Sequence, residues 1–125
     1  MARKDLQSMK ITPSLIKQAY SMLLCCEPFD RWNLPLPEEV KFEVIEDDNL
    51  MGTYLYDDGG KFEHIIQISS ARCGHLDTII RTLAHECIHM SRHGTVTDKW
   101  LKHDATFRRR AHMISNELGF DPLEL

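Results

Sequence analysis

Residues 76 to 92 read LDTIIRTLAHECIHMSR, with apolar side chains recurring at spacings of three and four. Ile79, Ile80, Leu83, Ala84, Cys87 and Ile88 share one stripe of an α-helix. Such a stripe must be buried against another layer, so this helix dictates what the rest of the chain has to supply. Beside the stripe, on a flank that includes Thr78 and Thr82, lie His85 and His89. Residues four apart on a helix sit one above the other, about 40° apart around the axis. Two imidazoles so placed can point at one metal ion. Glu86 lies about 100° from His85, too far round to be a third ligand, but it can reach a water on that ion. The pattern His85-Glu86-x-x-His89 therefore predicts zinc (Zn2+) held by two histidines, with Glu86 as general base.

The layer under the helix is legible on its N-terminal side. Thr12 and Pro13 suit the cap and first position of a helix carrying Leu15, Ile16, Ala19, Tyr20, Met22 and Leu23 and stopping before Pro28. Residues 27 to 37 read as a proline-rich loop anchored by Phe29 and Trp32. Alternation then predicts three strands: Val40 to Ile45, residues 51 to 56, and residues 62 to 69, where Phe62, His64, Ile66 and Ile68 point one way. Asp47-Asp48-Asn49 and Asp57-Asp58-Gly59-Gly60 are turn signals, so the strands are expected to form an antiparallel meander. His93-Gly94 reads as the end of the motif helix, and the polar stretch TVTDK follows it. Asp104 is a good cap for a last helix with Phe107, Ala111, Ile114 and Leu118 on its buried face and Gly119 at its end. The fold class is α+β, in one domain over residues 1–125: an N-terminal helix, a three-stranded antiparallel sheet, the motif helix and a closing C-terminal helix.

A chain of 125 residues is one ordinary domain, long enough to bury a core without disulfides. It contains no apolar run long enough to span a membrane, and the charged start MARKDLQSMK lacks the apolar segment of a signal peptide. A cytoplasmic monomer is expected. Cys25, Cys26, Cys73 and Cys87 form no CxxC pair and read as free thiols in a reducing compartment. Net charge is −4 but uneven. Residues 38 to 63 carry nine acids against two bases, and residues 92 to 112 carry six bases against two acids. The acidic stretch argues against a wholly basic nucleic-acid-binding domain. Arg108, Arg109 and Arg110 point in three directions on a helix and cannot make one flat patch.

A catalytic zinc ordinarily takes three protein ligands and keeps one open position. His93 falls about 80° round the helix from His85 and is also suited to the helix C-terminus by the dipole. An HExxHxxGxxH arrangement is absent, since Arg92 and Thr95 occupy its last positions. His64 belongs to a strand and is a substrate-pocket candidate, His75 precedes the motif helix, and His112 reads as solvated surface. His103 stands just before a helix anchored by Phe107, on a connection long enough to return past the motif helix. Spacing leaves the choice open.

The stretch from Gly52 to Pro122 resembles the SprT-like metallopeptidases, which include the Spartan proteases. The resemblance rests on Gly52, on Ile66-Gln67-Ile68-Ser69, on Thr82-Leu83-Ala84-His85-Glu86-Cys87-Ile88-His89, on His103-Asp104-Ala105-Thr106-Phe107 and on Leu118-Gly119. Asp104 departs from the family pattern, which has glycine there. The resemblance implies a zincin-like fold, His103 as third zinc ligand and hydrolysis of protein or peptide substrates, with DNA-associated proteins among them. In a zincin an edge strand beside the motif helix pairs with the substrate backbone, and residues 62 to 69 are the expected edge. The reading from another class is a zinc-bound module that binds a peptide and regulates without cleaving it.

Overall fold

Thr12 opens the first helix as expected: its side chain accepts a hydrogen bond from Leu15 N at 3.1 Å, and Pro13 takes the first helical position. In the computed structural model, which describes residues 10–93 and 102–125, this helix, α1, spans Pro13–Leu24. Helix α2 spans Leu76–Arg92 and α3 spans Ala105–Leu118. Between α1 and α2 stand β1 (Val40–Ile45), β2 (Gly52–Tyr56) and β3 (His64–Ser69). Asp104 caps α3 by accepting from Phe107 N at 3.1 Å, and Gly119 ends it with φ +83°. Helix α2 gives way at His93 to extended backbone. Gly94, the expected helix-ending residue, and the polar stretch after it lie outside the described residues. Among the described residues, no helix is long and apolar enough to cross a membrane.

The sheet corrects the expected antiparallel meander. Its order is β1-β3-β2, with β3 parallel to β1 and antiparallel to β2. The second turn signal holds: Gly59 has φ +81°, Gly60 N donates to Asp57 O at 3.1 Å, and β2 and β3 form a hairpin. The first does not make a hairpin. Residues 46–51 instead pass over the end of β3 and deliver β2 to the far side. Two strand spacings are about 9.6 Å, a gap that a few extended residues bridge. Ser69, fully buried at the end of β3, secures the crossing. Its hydroxyl accepts from Asp47 N at 3.1 Å and donates to Asp47 O at 2.7 Å, while Ser69 N donates to Met51 O at 2.8 Å.

The centre of the sheet is where the isoleucine-rich strand gains most from cross-strand pairs. Ile66 faces Phe42 on one side and Tyr54 on the other, and Ile68 faces Val44 and Gly52. Residues 62–69 were expected to offer a free edge; β3 instead has a neighbour on each side. Among the described residues, the free edge next to α2 belongs to β2.

One face of the sheet carries the helices. The Tyr20 ring of α1 packs on Phe42 at 5.3 Å, and its hydroxyl donates to Pro35 O at 2.6 Å. Phe29 is buried with Trp32 edge-on at 5.3 Å, as the loop anchors predict. Helix α2 lies so close to β2 that a Cβ on Gly52 would sit 2.8 Å from Thr82 Cγ2 and 2.9 Å from Gln67 O. Helix α3 covers another side of α2 with Phe107, Ala111 and Ile114. Ile66, Ile68, Ile79, Leu83, Ile88 and Ile114 are completely buried, each contributing about 1.5–3 kcal/mol. Because α2 is covered on several sides, burial extends beyond its apolar stripe to Thr82, Glu86, His89 and Arg92. All four cysteines are free thiols, with Cys73 and Cys87 buried.

Replacing Ser69 by alanine removes the hydroxyl that serves Asp47 on both its main-chain groups. The expected loss is about 1–3 kcal/mol of stability, read as a lower urea midpoint with unchanged m-value. An unchanged midpoint would show that the crossing does not depend on this hydroxyl.

Candidate metal centre

Helix α2 stacks His85 and His89 one turn apart, with their Nε2 atoms 3.1 Å from each other. His103, just ahead of α3, brings its own Nε2 to 3.1 Å from that of His89. Ligand atoms of the three lie within 4.8 Å of one another, the arrangement a shared ion requires. Nitrogens bound tetrahedrally to zinc at about 2.05 Å stand roughly 3.3 Å apart, close to the 3.1 Å that separates His89 Nε2 from each of the other two. Burial, and then the neighbouring His89 and His103, depress the pKa of His85 to about 4. Burial lowers that of His103 as well. Neutral imidazoles keep a lone pair for a metal. Phe107 forms an apolar wall against all three rings: it stacks on His103 at 4.1 Å and meets His85 and His89 at 4.9 and 5.0 Å.

The position of His103 is set by guanidinium groups around it. Arg92, buried near the end of α2, grips Asp104 with both nitrogens, Nη1 to Oδ1 at 2.8 Å and Nη2 to Oδ2 at 2.9 Å. Arg92 Nη1 also donates to Lys102 O at 2.9 Å, and Arg108 Nη1 donates to His103 O at 3.0 Å. The residues on both sides of His103 are thereby tied to α2. Arg92 and the N–H of Phe107 hold the Asp104 carboxyl down to about 2. Asp104 caps the helix and pairs with arginine at once, a duty the glycine of the SprT-like pattern has no side chain to perform.

Glu86 is buried, and burial pushes its carboxyl up to about 8. With His85 it lines a cavity of about 250 Å³ whose other walls are Met51, Gly52, Arg81, Thr82 and Leu125. A second cavity, of about 220 Å³, opens beside His103 and Phe107 and is also walled by Leu125. The main chain of Leu125 lies close enough to the His85 ring to oppose, in small part, the fall in its pKa. Nothing in the sequence pattern signals Leu125, because its place on both cavity walls arises only from how Pro122–Glu124 turns the chain back.

The remaining histidines part company with the triad. His64 faces inward from β3, where Tyr54 Oη meets its Nδ1 at 2.7 Å. His93 packs on Tyr56 with ring centres 3.8 Å apart and lies 5.9 Å from His64. His75 precedes α2, and His112 is exposed. Thr82, on the flank beside the motif histidines, lies within 3.5 Å of Cys73 Sγ through its hydroxyl. Among the bases of residues 92 to 112, Arg92 is buried and ion-paired, Arg108 holds the His103 carbonyl, and Arg110 turns to Ser91 and Trp32. Comparison with protein-family models, curated proteins and solved structures found no match.

Asp104→Ala strips Arg92 of its carboxylate and loosens the segment carrying His103. Zinc affinity is expected to fall by about 10- to 100-fold, measured by competition with a chelating dye. Retention of wild-type affinity would show that His103 is held without the ion pair.

Proposed function

We propose that this chain is a zinc-dependent endopeptidase. The observation that carries the reading is the convergence of His85, His89 and His103 Nε2, with His85 and the buried Glu86 on the wall of a cavity that reaches β2. The three Nε2 atoms would hold zinc, which when bound polarises a substrate carbonyl and acidifies a water. Glu86, in the carboxylate form that the positive charge of a bound zinc would favour over the neutral form that burial alone favours, accepts the proton of the attacking water and passes it to the departing amine nitrogen. His85 and His89 are fixed by the helix that carries them, and His103 by the Arg92–Asp104 pair. Phe107 keeps the cluster against an apolar surface.

Strand β2 takes the place first expected of residues 62–69. Its outer edge is unpaired among the described residues, and Gly52 at its start lines the Glu86 cavity. An extended peptide adding to that edge passes the triad with its carbonyls in the plane of the sheet. The zincin-like architecture belongs to this same proposal, as does the third ligand, His103. The SprT-like resemblance would extend the substrates to DNA-associated proteins, for which a DNA affinity that falls with added salt is the expected signature. An absent or salt-independent affinity would remove that extension.

Glu86→Gln is expected to retain zinc and fold while losing peptide hydrolysis by about a hundredfold or more, followed as fragments of an unstructured protein with and without chelator. His103→Ala is expected to lose zinc as well as cleavage. Undiminished cleavage by Glu86→Gln would overturn the mechanism. Zinc binding without any chelator-sensitive cleavage by the wild type would favour a peptide-binding module instead.

A further inference from the structure

The largest cavity described lies away from the histidine triad and shares no wall with either cavity beside it. It measures about 520 Å³, between the loop after α1, the end of α2, the start of β3 and the middle of α3. Its polar wall is made by Arg31, Arg110, His64 and His93, with Trp32 and Ser91 beside them. Among the described residues, no carboxylate lines it. That is a notable imbalance in a chain of net charge −4.

Three of the four donors are held in place. Arg110 donates to the Ser91 hydroxyl and lies over the Trp32 ring, 5.1 Å from its centre. Tyr54 fixes the His64 ring through Nδ1, and Tyr56 packs against His93. Arg110 also stands within electrostatic reach of Arg109 and of Arg92, the latter paired with Asp104, while Glu63 and Glu39 act on His64 from outside the cavity wall. Two guanidinium forks and two imidazoles around a cavity of this size suit a tetrahedral oxyanion better than a cation or an apolar group. The volume falls in the range of small-molecule pockets and exceeds what a bare phosphate fills.

We propose that this cavity binds the phosphate group of a small molecule of up to nucleotide size. Arg31 and Arg110 grip the phosphate oxygens, and His64 and His93 complete the donor set. The site is independent of the peptidase reading, since it contains neither the triad nor Glu86.

The test is a titration of the full chain with inorganic phosphate and with a nucleoside monophosphate, at constant ionic strength and pH, followed by NMR. The expected result is saturable shifts at the Trp32 indole and at His64 and His93, tighter for the nucleotide. Arg31 is exposed, so Arg31→Glu should keep the fold and weaken binding by about tenfold or more. Arg110→Gln, which retains a donor for Ser91, should weaken it similarly. Shifts confined to His85, His89 and His103 would overturn the proposal, as would binding unchanged in Arg31→Glu. Response to a single-stranded oligonucleotide, with none to the two small phosphates, would also overturn it.

Discussion

A buried guanidinium cannot stand alone, and much of the site follows from how Arg92 is satisfied. Its side chain lies 7% exposed near the end of α2, where an unpaired charge would cost several kcal/mol. Asp104 answers it with two oxygens, so the start of α3 has to return to α2 at this point. His103 is the residue before Asp104 and travels with it. The same carboxylate caps α3, which seats Phe107 against the three imidazoles. Position of His103, direction of the helix and the apolar backing of the cluster thus share one ion pair.

The close approach of α2 to the sheet is the second constraint. At Gly52 there is no room for a side chain, because the Thr82 methyl of the helix and the Gln67 carbonyl of β3 already fill the space. This places the Glu86 cavity directly beside β2. Burial there removes water from Glu86 and His85 and shifts both toward their neutral forms. Neutral, converging imidazoles are what a metal needs; as cations they would repel one another.

The same helix separates two kinds of histidine environment. His85 and His89 lie with His103 against an apolar ring and a leucine. His93, one residue past the helix, joins His64 among tyrosines and beside arginines. Identical side chains therefore face a cluster suited to a cation and a cavity suited to an anion. The difference comes from what α3 and the loop after α1 bring to each side.

Local elements were readable in the chain because they depend on near neighbours. The bounds of α2 and α3 follow from periodicity, and Thr12, Asp104 and Gly119 act at the caps where their chemistry places them. The pairing of His85 with His89, and the place of Glu86 beside them, need only the pitch of a helix. Sequence distance concealed the rest. The turn at Asp47-Asp48-Asn49 looks like a hairpin, yet its chain crosses the end of β3, because a six-residue connection reaches two strand spacings as readily as one when Ser69 secures it. Resemblance pointed to His103, while spacing alone left it among several; Arg92 and Asp104, twelve residues apart, bring it to the others. Leu125 and the Arg31–Arg110 cavity had no local signal. By itself the sequence determined the elements, their caps and two of the three converging histidines, all set by short-range geometry. Tertiary structure alone decided the strand order, the free edge and the closing of the triad, because those depend on which distant groups can satisfy a buried charge or hydrogen bond.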